Sequence, residues 1–217
     1  MARRTKEDAC ATRNSLLDAA EQVFLEQGVA RASLNEIAQR AGATRGAVYW
    51  HFKDKLDLFY AMLDRVTLPL EQLAYGENAE RHSLQGVPRV RHIIASVFRR
   101  LEQDAQTRRV FEVLLFKVEY VGELVAVQER HLFDLAEFDS RLEECLRVEQ
   151  ARQECASMVL SPFEAALGLR SLFDGLIKSW LLSSQGFDLS ELGMRAVDVY
   201  LGGLGFQLPV EGSVQDV

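Results

Sequence analysis

The side chains of this 217-residue chain best suited to chemistry lie close together: Arg45, Tyr49, Trp50 and His51, followed by Lys53 and Lys55. Tyr49 and Trp50 are adjacent, so they cannot both sit fully in one small core. Cations flank them on a surface otherwise well supplied with acids, a mixture that suits contact with nucleic acid. Upstream, Ser33 offers a hydroxyl beside the free amides of a helix start, a combination that suits a phosphate oxygen. Enzymatic alternatives lack a pattern. His51, His82, His92 and His131 are scattered without metal-ligand spacing. There is no G-x-S-x-G elbow, no phosphate-binding glycine loop and no nucleotide fingerprint. No catalytic residue, metal or cofactor is therefore expected.

Positioning those groups requires helices. Within SLNEIAQRAGATRGAVYWHF, residues 33–52, Leu34, Ile37, Ala38 and Ala41 recur at helical spacing. Ser33 with Glu36 three residues on makes a capping box, and Gly42 supplies a residue able to take positive φ. Thr44 can cap a second helix whose inner side is Ala47, Val48 and Phe52 and whose outer side carries Arg45, Gly46, Tyr49 and Trp50. An inner face this small needs a third helix, which Leu16, Leu17, Ala20, Val23 and Phe24 provide between Thr12 and Gln27. Three short helices with a glycine turn before the last form a helix-turn-helix, whose final helix lies in the major groove of DNA. Arg3, Arg4 and Lys6 form a basic arm ahead of it.

Charge divides accordingly. Residues 1–56 carry nine Lys/Arg against seven Asp/Glu, and the rest sixteen against twenty-five, within an overall charge of -7. One end can approach DNA while the remainder is repelled by phosphate. After Asp54, the cap of the next helix, Leu56, Phe59, Tyr60, Leu63, Val66, Leu70 and Leu73 keep a helical period past Pro69, where the element should bend or end. A polar loop is predicted over Gly76 to Pro88, then helices over 89–103, 107–116 and 119–156. Ser161-Pro162 starts a helix that is apolar around much of its circumference, and Asp188 caps the last one. No strand-like segment, repeat or low-complexity tract is present.

Cys10, Cys145 and Cys155 have neither an even count nor paired spacing, which argues against a disulfide scaffold. No apolar run spans a membrane and the start MARRTKEDA is unlike a signal peptide, so no membrane association and a cytoplasmic location are expected. The two apolar terminal helices suggest a homodimer, with Leu167, Trp180, Val197, Tyr200, Leu201 and Leu204 as interface candidates. One short helix reaches too few base edges for operator-level specificity, and a two-fold dimer presents two.

The N-terminal MARRTKEDACATR and the block GVARASLNEIAQRAGATRGAVYWHFKDKLDLF resemble the TetR family of repressors. RRVFEVLLFKVEYVGELVAVQ and SLFDGLIKSWLLSSQGFDL resemble its AcrR-like branch, which represses multidrug efflux pumps. The resemblance implies an all-α fold of about nine helices. Residues 1–56 would form a helix-turn-helix DNA-binding head, and 57–217 a ligand-binding and dimerisation body. It implies double-stranded operator DNA as partner. Thr44, Arg45 and Gly46 would lie at base edges and adjacent phosphates, and Ser33, Tyr49, His51 and Lys55 at phosphates. Trp50 would pack over the backbone or on the head, and Arg31 is a further backbone candidate. The chemistry agrees: Arg45 can pair with guanine, whereas Tyr49, His51 and Lys55 position without reading sequence.

The resemblance also implies a drug-sized pocket, here apolar, from Val66, Leu70, Ile93, Val97, Phe111, Leu114, Phe138, Phe173 and Ile177. Relatives with cationic dyes as effectors place a tryptophan and an acid where this chain has Leu63 and Thr67, with Glu71, Glu112 and Glu119 as possible substitutes. Neutral or amphiphilic aromatic effectors are therefore expected. The implied function is a ligand-released repressor of an efflux operon; activation, or control of another metabolic operon with a different effector, is the alternative.

Overall fold

The computed structural model describes residues 6–75, 84–153 and 159–208. Arg3, Arg4, His82, Cys155, most of the 76–88 loop and the C-terminal tail lie outside them. The described residues form nine α-helices and one 3₁₀ turn: α1 Lys6–Gln27, α2 Leu34–Arg40, α3 Arg45–His51, α4 Lys55–Tyr75, α5 Gly86–Gln103, α6 Ala105–Phe116, the 3₁₀ turn Gly122–Leu124, α7 Val125–Arg152, α8 Pro162–Leu182 and α9 Leu189–Gly203. The fold is all-α, as the sequence indicates.

Several boundaries differ from the sequence reading, each for a physical reason. The first helix starts at Lys6, not Thr12, with Glu7 and Asp8 in its first turn complementing the helix dipole. Its buried side begins only at Leu16, so its first turns leave no apolar periodicity to detect. α4 runs through Pro69 to Tyr75. α5 begins at Gly86, inside the segment expected to be loop, and Pro88 falls in its first turn, where a missing N–H costs nothing. Gly86 has φ +62, and a Cβ there would lie 1.9 Å from the Glu149 carboxylate. That buried carboxylate accepts from the Val87 N–H at 2.9 Å. The helix expected over 119–156 is divided into the 3₁₀ turn and α7.

The chain folds as two compact units, one of residues 1–69 and 104–131, the other of 70–103 and 132–217. In the first, α1 packs against α2, α3 and α6 around Leu16, Leu17, Ala20, Val23, Phe24, Ile37, Val48 and Phe52. Phe24 meets Phe59 of α4 edge to face, centroids 5.9 Å apart. In the second, α9 packs on α5 and α8. Phe98 stacks on Phe173 at 5.4 Å, and Gly193 lets α9 approach the Phe98 ring so closely that a Cβ would sit 2.6 Å from it. Arg91 holds Asp198 at 2.6 Å, and Glu102 accepts from the Leu189 amide at the start of α9.

Candidate nucleic-acid interface

The glycine turn and two caps fix α2 and α3. Ser33 accepts from the Glu36 amide at 3.3 Å while the Glu36 carboxylate accepts from the Ser33 amide and hydroxyl, at 3.0 and 2.7 Å. The Ser33 hydroxyl, its amide and then Gln27 hold the Glu36 carboxyl below the usual carboxylate range. Gly42 takes φ +63, and Thr44 accepts from the Ala47 amide at 3.1 Å. Ala47 and Val48 of α3 are buried together with Phe52, which pins the helix by one side.

The other side is open. Arg45 and Gly46 are exposed, Tyr49 is 50% and Trp50 71% exposed. The Arg45 guanidinium lies 5.6 Å from the Tyr49 ring centroid and donates to its hydroxyl at 3.4 Å. His51 is half-buried, edge-on to Trp50 at 4.5 Å. Arg45, Tyr49 and Trp50 thus share one short exposed segment, with the exposed Ser33 and Thr44 at the starts of the two helices.

Lys55 has a different placement. Its ammonium donates to the carbonyls of Ala30 and Ala32, at 2.9 and 3.3 Å, and clamps the loop between α1 and α2. Arg31 is exposed and bonded to the Gln27 carbonyl. Arg40 is engaged by Glu26 through two 2.6 Å bonds.

The pocket candidates fall in both units. Val66, Phe111 and Leu114 belong to the first, and Leu70, Ile93, Val97, Phe138, Phe173 and Ile177 to the second. Val66, Leu70, Ile93 and Ile177 are buried and the other five half-buried. Phe138 and Phe173 come together, centroids 6.0 Å apart. A cleft of about 420 Å³ in the second unit is lined by Pro88, Arg152, Gln153, Gln207 and Leu208 and includes none of the nine. Leu63 and Thr67 are half-buried.

Of the interface candidates, Trp180, Val197, Leu201 and Leu204 are buried within the subunit, and Trp180 donates to the Phe187 carbonyl at 2.9 Å. Tyr200 is half-buried and bonded to the Ala165 carbonyl, and Leu167 is exposed. The apolar side chains that α8 and α9 leave exposed are Phe163, Leu167, Leu182, Leu192 and Val199.

Glu21 escaped the sequence reading altogether. It stands between Leu17 and Phe24 on the buried side of α1 and is itself fully buried. An acid at an apolar position of a helix is the signal that could have found it, because such a group needs partners.

A three-helix head with one pinned, outward-facing helix defines a helix-turn-helix DNA-binding protein. Among the described residues, no group of three or more His, Cys, Asp or Glu could hold a metal ion, and no helix is long and apolar enough to cross a membrane. Residues 16–62 match the model for bacterial regulatory proteins of the tetR family, and residues 86–206 that for the C-terminal region of MAATS-type transcriptional repressors. The HTH-type transcriptional regulator AcrR of Shigella flexneri is 36% identical over 208 residues, covering 93% of each chain. NalD, the secondary repressor of the MexAB-OprM multidrug efflux pump in Pseudomonas aeruginosa, superimposes with a TM-score of 0.76 at 35% identity, covering 92% of this chain and 98% of that one. SmeT of Stenotrophomonas maltophilia in complex with triclosan gives 0.75 at 31% identity, covering 95% and 98%. The chain belongs to the TetR family of transcriptional regulators and is closely related to its AcrR-like members.

Proposed function

We propose that this protein is a dimeric repressor of a multidrug efflux operon, binding a palindromic operator and released by hydrophobic or aromatic drug-like ligands. The observation that carries the DNA-binding part is the division of α3: Ala47 and Val48 buried, Arg45, Tyr49 and Trp50 exposed. In this reading residues 1–56 read DNA and 57–217 bind ligand and partner. Arg45 reads guanine through paired donors; Ser33, Thr44, Tyr49 and His51 position the head on phosphates, and Gly46 leaves the approach open. The ligand and the operon are inferred from kinship with regulators of efflux pumps, one of them bound to triclosan.

Dimerisation is assigned to α8 and α9, through the side chains they leave exposed. Phe163 and Leu167 lie a turn apart on α8, and Leu192 and Val199 two turns apart on α9. Leu167→Asp with Val199→Asp should convert the dimer to monomer by analytical ultracentrifugation.

The whole reading is tested by selecting bound duplexes from a random library and measuring anisotropy of the selected sequence as triclosan is added. A palindromic sequence bound at nanomolar concentration and released by triclosan supports it. Failure to enrich any duplex sinks the DNA-binding reading, whereas enrichment without release by bound triclosan sinks only the ligand response.

A further inference from the structure

The buried carboxylate of Glu21 is held by donors from two other helices. Arg65 of α4 donates through Nη2 to Oε1, and Gln106 of α6 donates to the same oxygen at 2.9 Å. Arg109, also of α6, donates through Nε and Nη2 to Oε2, at 3.3 and 3.2 Å. Arg65 additionally reaches Asp18 of α1 at 2.8 Å. A carboxylate screened from water is tolerated while such donors stay in place, and removing one leaves a buried charge short of compensation.

We propose that Glu21 is the positioning residue through which α6 sets the DNA-reading head. The inference rests on the ligand-responsive repressor reading above and names the regulating contact within it. Helix geometry places Gln106 and Arg109 toward one side of α6 and Phe111 and Leu114 toward another, roughly 140° around the axis at 100° per residue. α6 has a second hold on the head at its C-terminal end, where the Lys117 carbonyl accepts from the Val29 amide at 2.9 Å. Val29 belongs to the loop whose Ala30 and Ala32 carbonyls Lys55 clamps, just before α2. A displacement of α6 therefore pulls on α1 through Glu21 and on the start of α2 through Val29.

The response is stepwise because of the burial. Arg109 is 41% exposed on its side chain and can be hydrated when it lets go, whereas Glu21 is 0% exposed and cannot. Partial separation strands part of a buried charge without returning it to water. Two arrangements, bonded and fully released, are favoured over those between. The bonded one is assigned to the operator-competent state.

The test uses the full-length dimer with Arg109→Met, Arg109→Lys and Glu21→Gln. Operator affinity is measured by anisotropy on the selected duplex, corrected for the fraction of protein competent to bind. Arg109→Met should weaken operator binding about tenfold, the scale of ordinary coupling between sites. Arg109→Lys should restore most of it, which a merely stabilising role would not require. Amide exchange is the readout free of DNA. In Arg109→Met it should rise over residues 28–40 and not over 189–203, and in Arg91→Met, which breaks the α5–α9 pair, over 189–203 alone. Operator affinity within twofold of wild type, or exchange over 28–40 unchanged, would overturn the proposal even if Glu21→Gln fails to fold. If the wild-type chain binds no duplex, the repressor reading fails, and the exchange experiment still decides whether Glu21 ties α6 to the head.

Discussion

Replacing Lys55 with methionine separates two accounts of one ammonium group. Its position beside the head suggests a phosphate contact, but Nζ donates to the carbonyls of Ala30 and Ala32 at 2.9 and 3.3 Å. Hydrogen bonds from a charged donor contribute ~1.5–3 kcal/mol each. Lys55 is half-buried and the second bond is long, so the low end applies to the first and less to the second. The expected loss is about 2 kcal/mol of stability without any DNA present. Methionine keeps most of the apolar stem, so this loss belongs to the ammonium. Urea unfolding followed by circular dichroism measures it, with amide exchange at residues 28–33 locating it. Operator binding should then weaken through disorder of the loop before α2, with little change in its salt dependence. A group acting on phosphate alone predicts the reverse. Stability would stay within about 0.5 kcal/mol of wild type, and the slope of log affinity against log salt would fall by about one unit. That pair of results would refute the loop-clamp account.

Arg45→Ala should cost ~1–3 kcal/mol of operator binding and relax base preference at one position of each half-site, as read by repeating the duplex selection. Gly193→Ala puts a Cβ 2.6 Å from the Phe98 ring, which is itself stacked on Phe173. Overpacking of ~1–3 kcal/mol exceeds the ~1 kcal/mol that alanine returns in helix propensity, so Tm should fall by several degrees in calorimetry. Because the folded Glu36 carboxyl lies below its ordinary value of 4.5, its bonds to Ser33 stabilise the head fully above that pH. The contribution is lost as pH falls through the lower folded value. Glu36→Gln should accordingly flatten the acid side of the Tm profile and reduce Tm near neutrality.

What could be read from the sequence was what neighbouring residues decide. The Ser33–Glu36 box, the Gly42 turn, the Thr44 and Asp188 caps and the Ser161-Pro162 start are each complete within a few residues, and all are present. Elements fixed by distant partners were not legible. Pro88 looks like loop punctuation until the Glu149 carboxylate, 62 residues along the chain, takes the Val87 amide. α4 passes Pro69 and continues to Tyr75, although an interior proline removes one helical hydrogen bond. Trp180, Val197 and Leu201, interface candidates by their apolar character, are buried within the subunit. On helices apolar around most of their circumference, the pattern gives no way to tell which side turns inward.

The same distinction bears on how such a head can be controlled. α3 has seven residues, one side-chain cap and two buried side chains, so it has little with which to choose an orientation of its own. It follows whatever carries it, and within its unit that is α1, which packs against both α2 and α3 as well as α6. A regulating movement that acted on α3 directly would have to break the small contact that keeps it folded. One that acts on α1 can move the three helices as a body, with the Ser33 and Thr44 caps intact. Glu21 is a fully buried acid of α1 on which α6 has a charged hold, through Arg109, and its burial turns a small shift of that helix into a choice between two states.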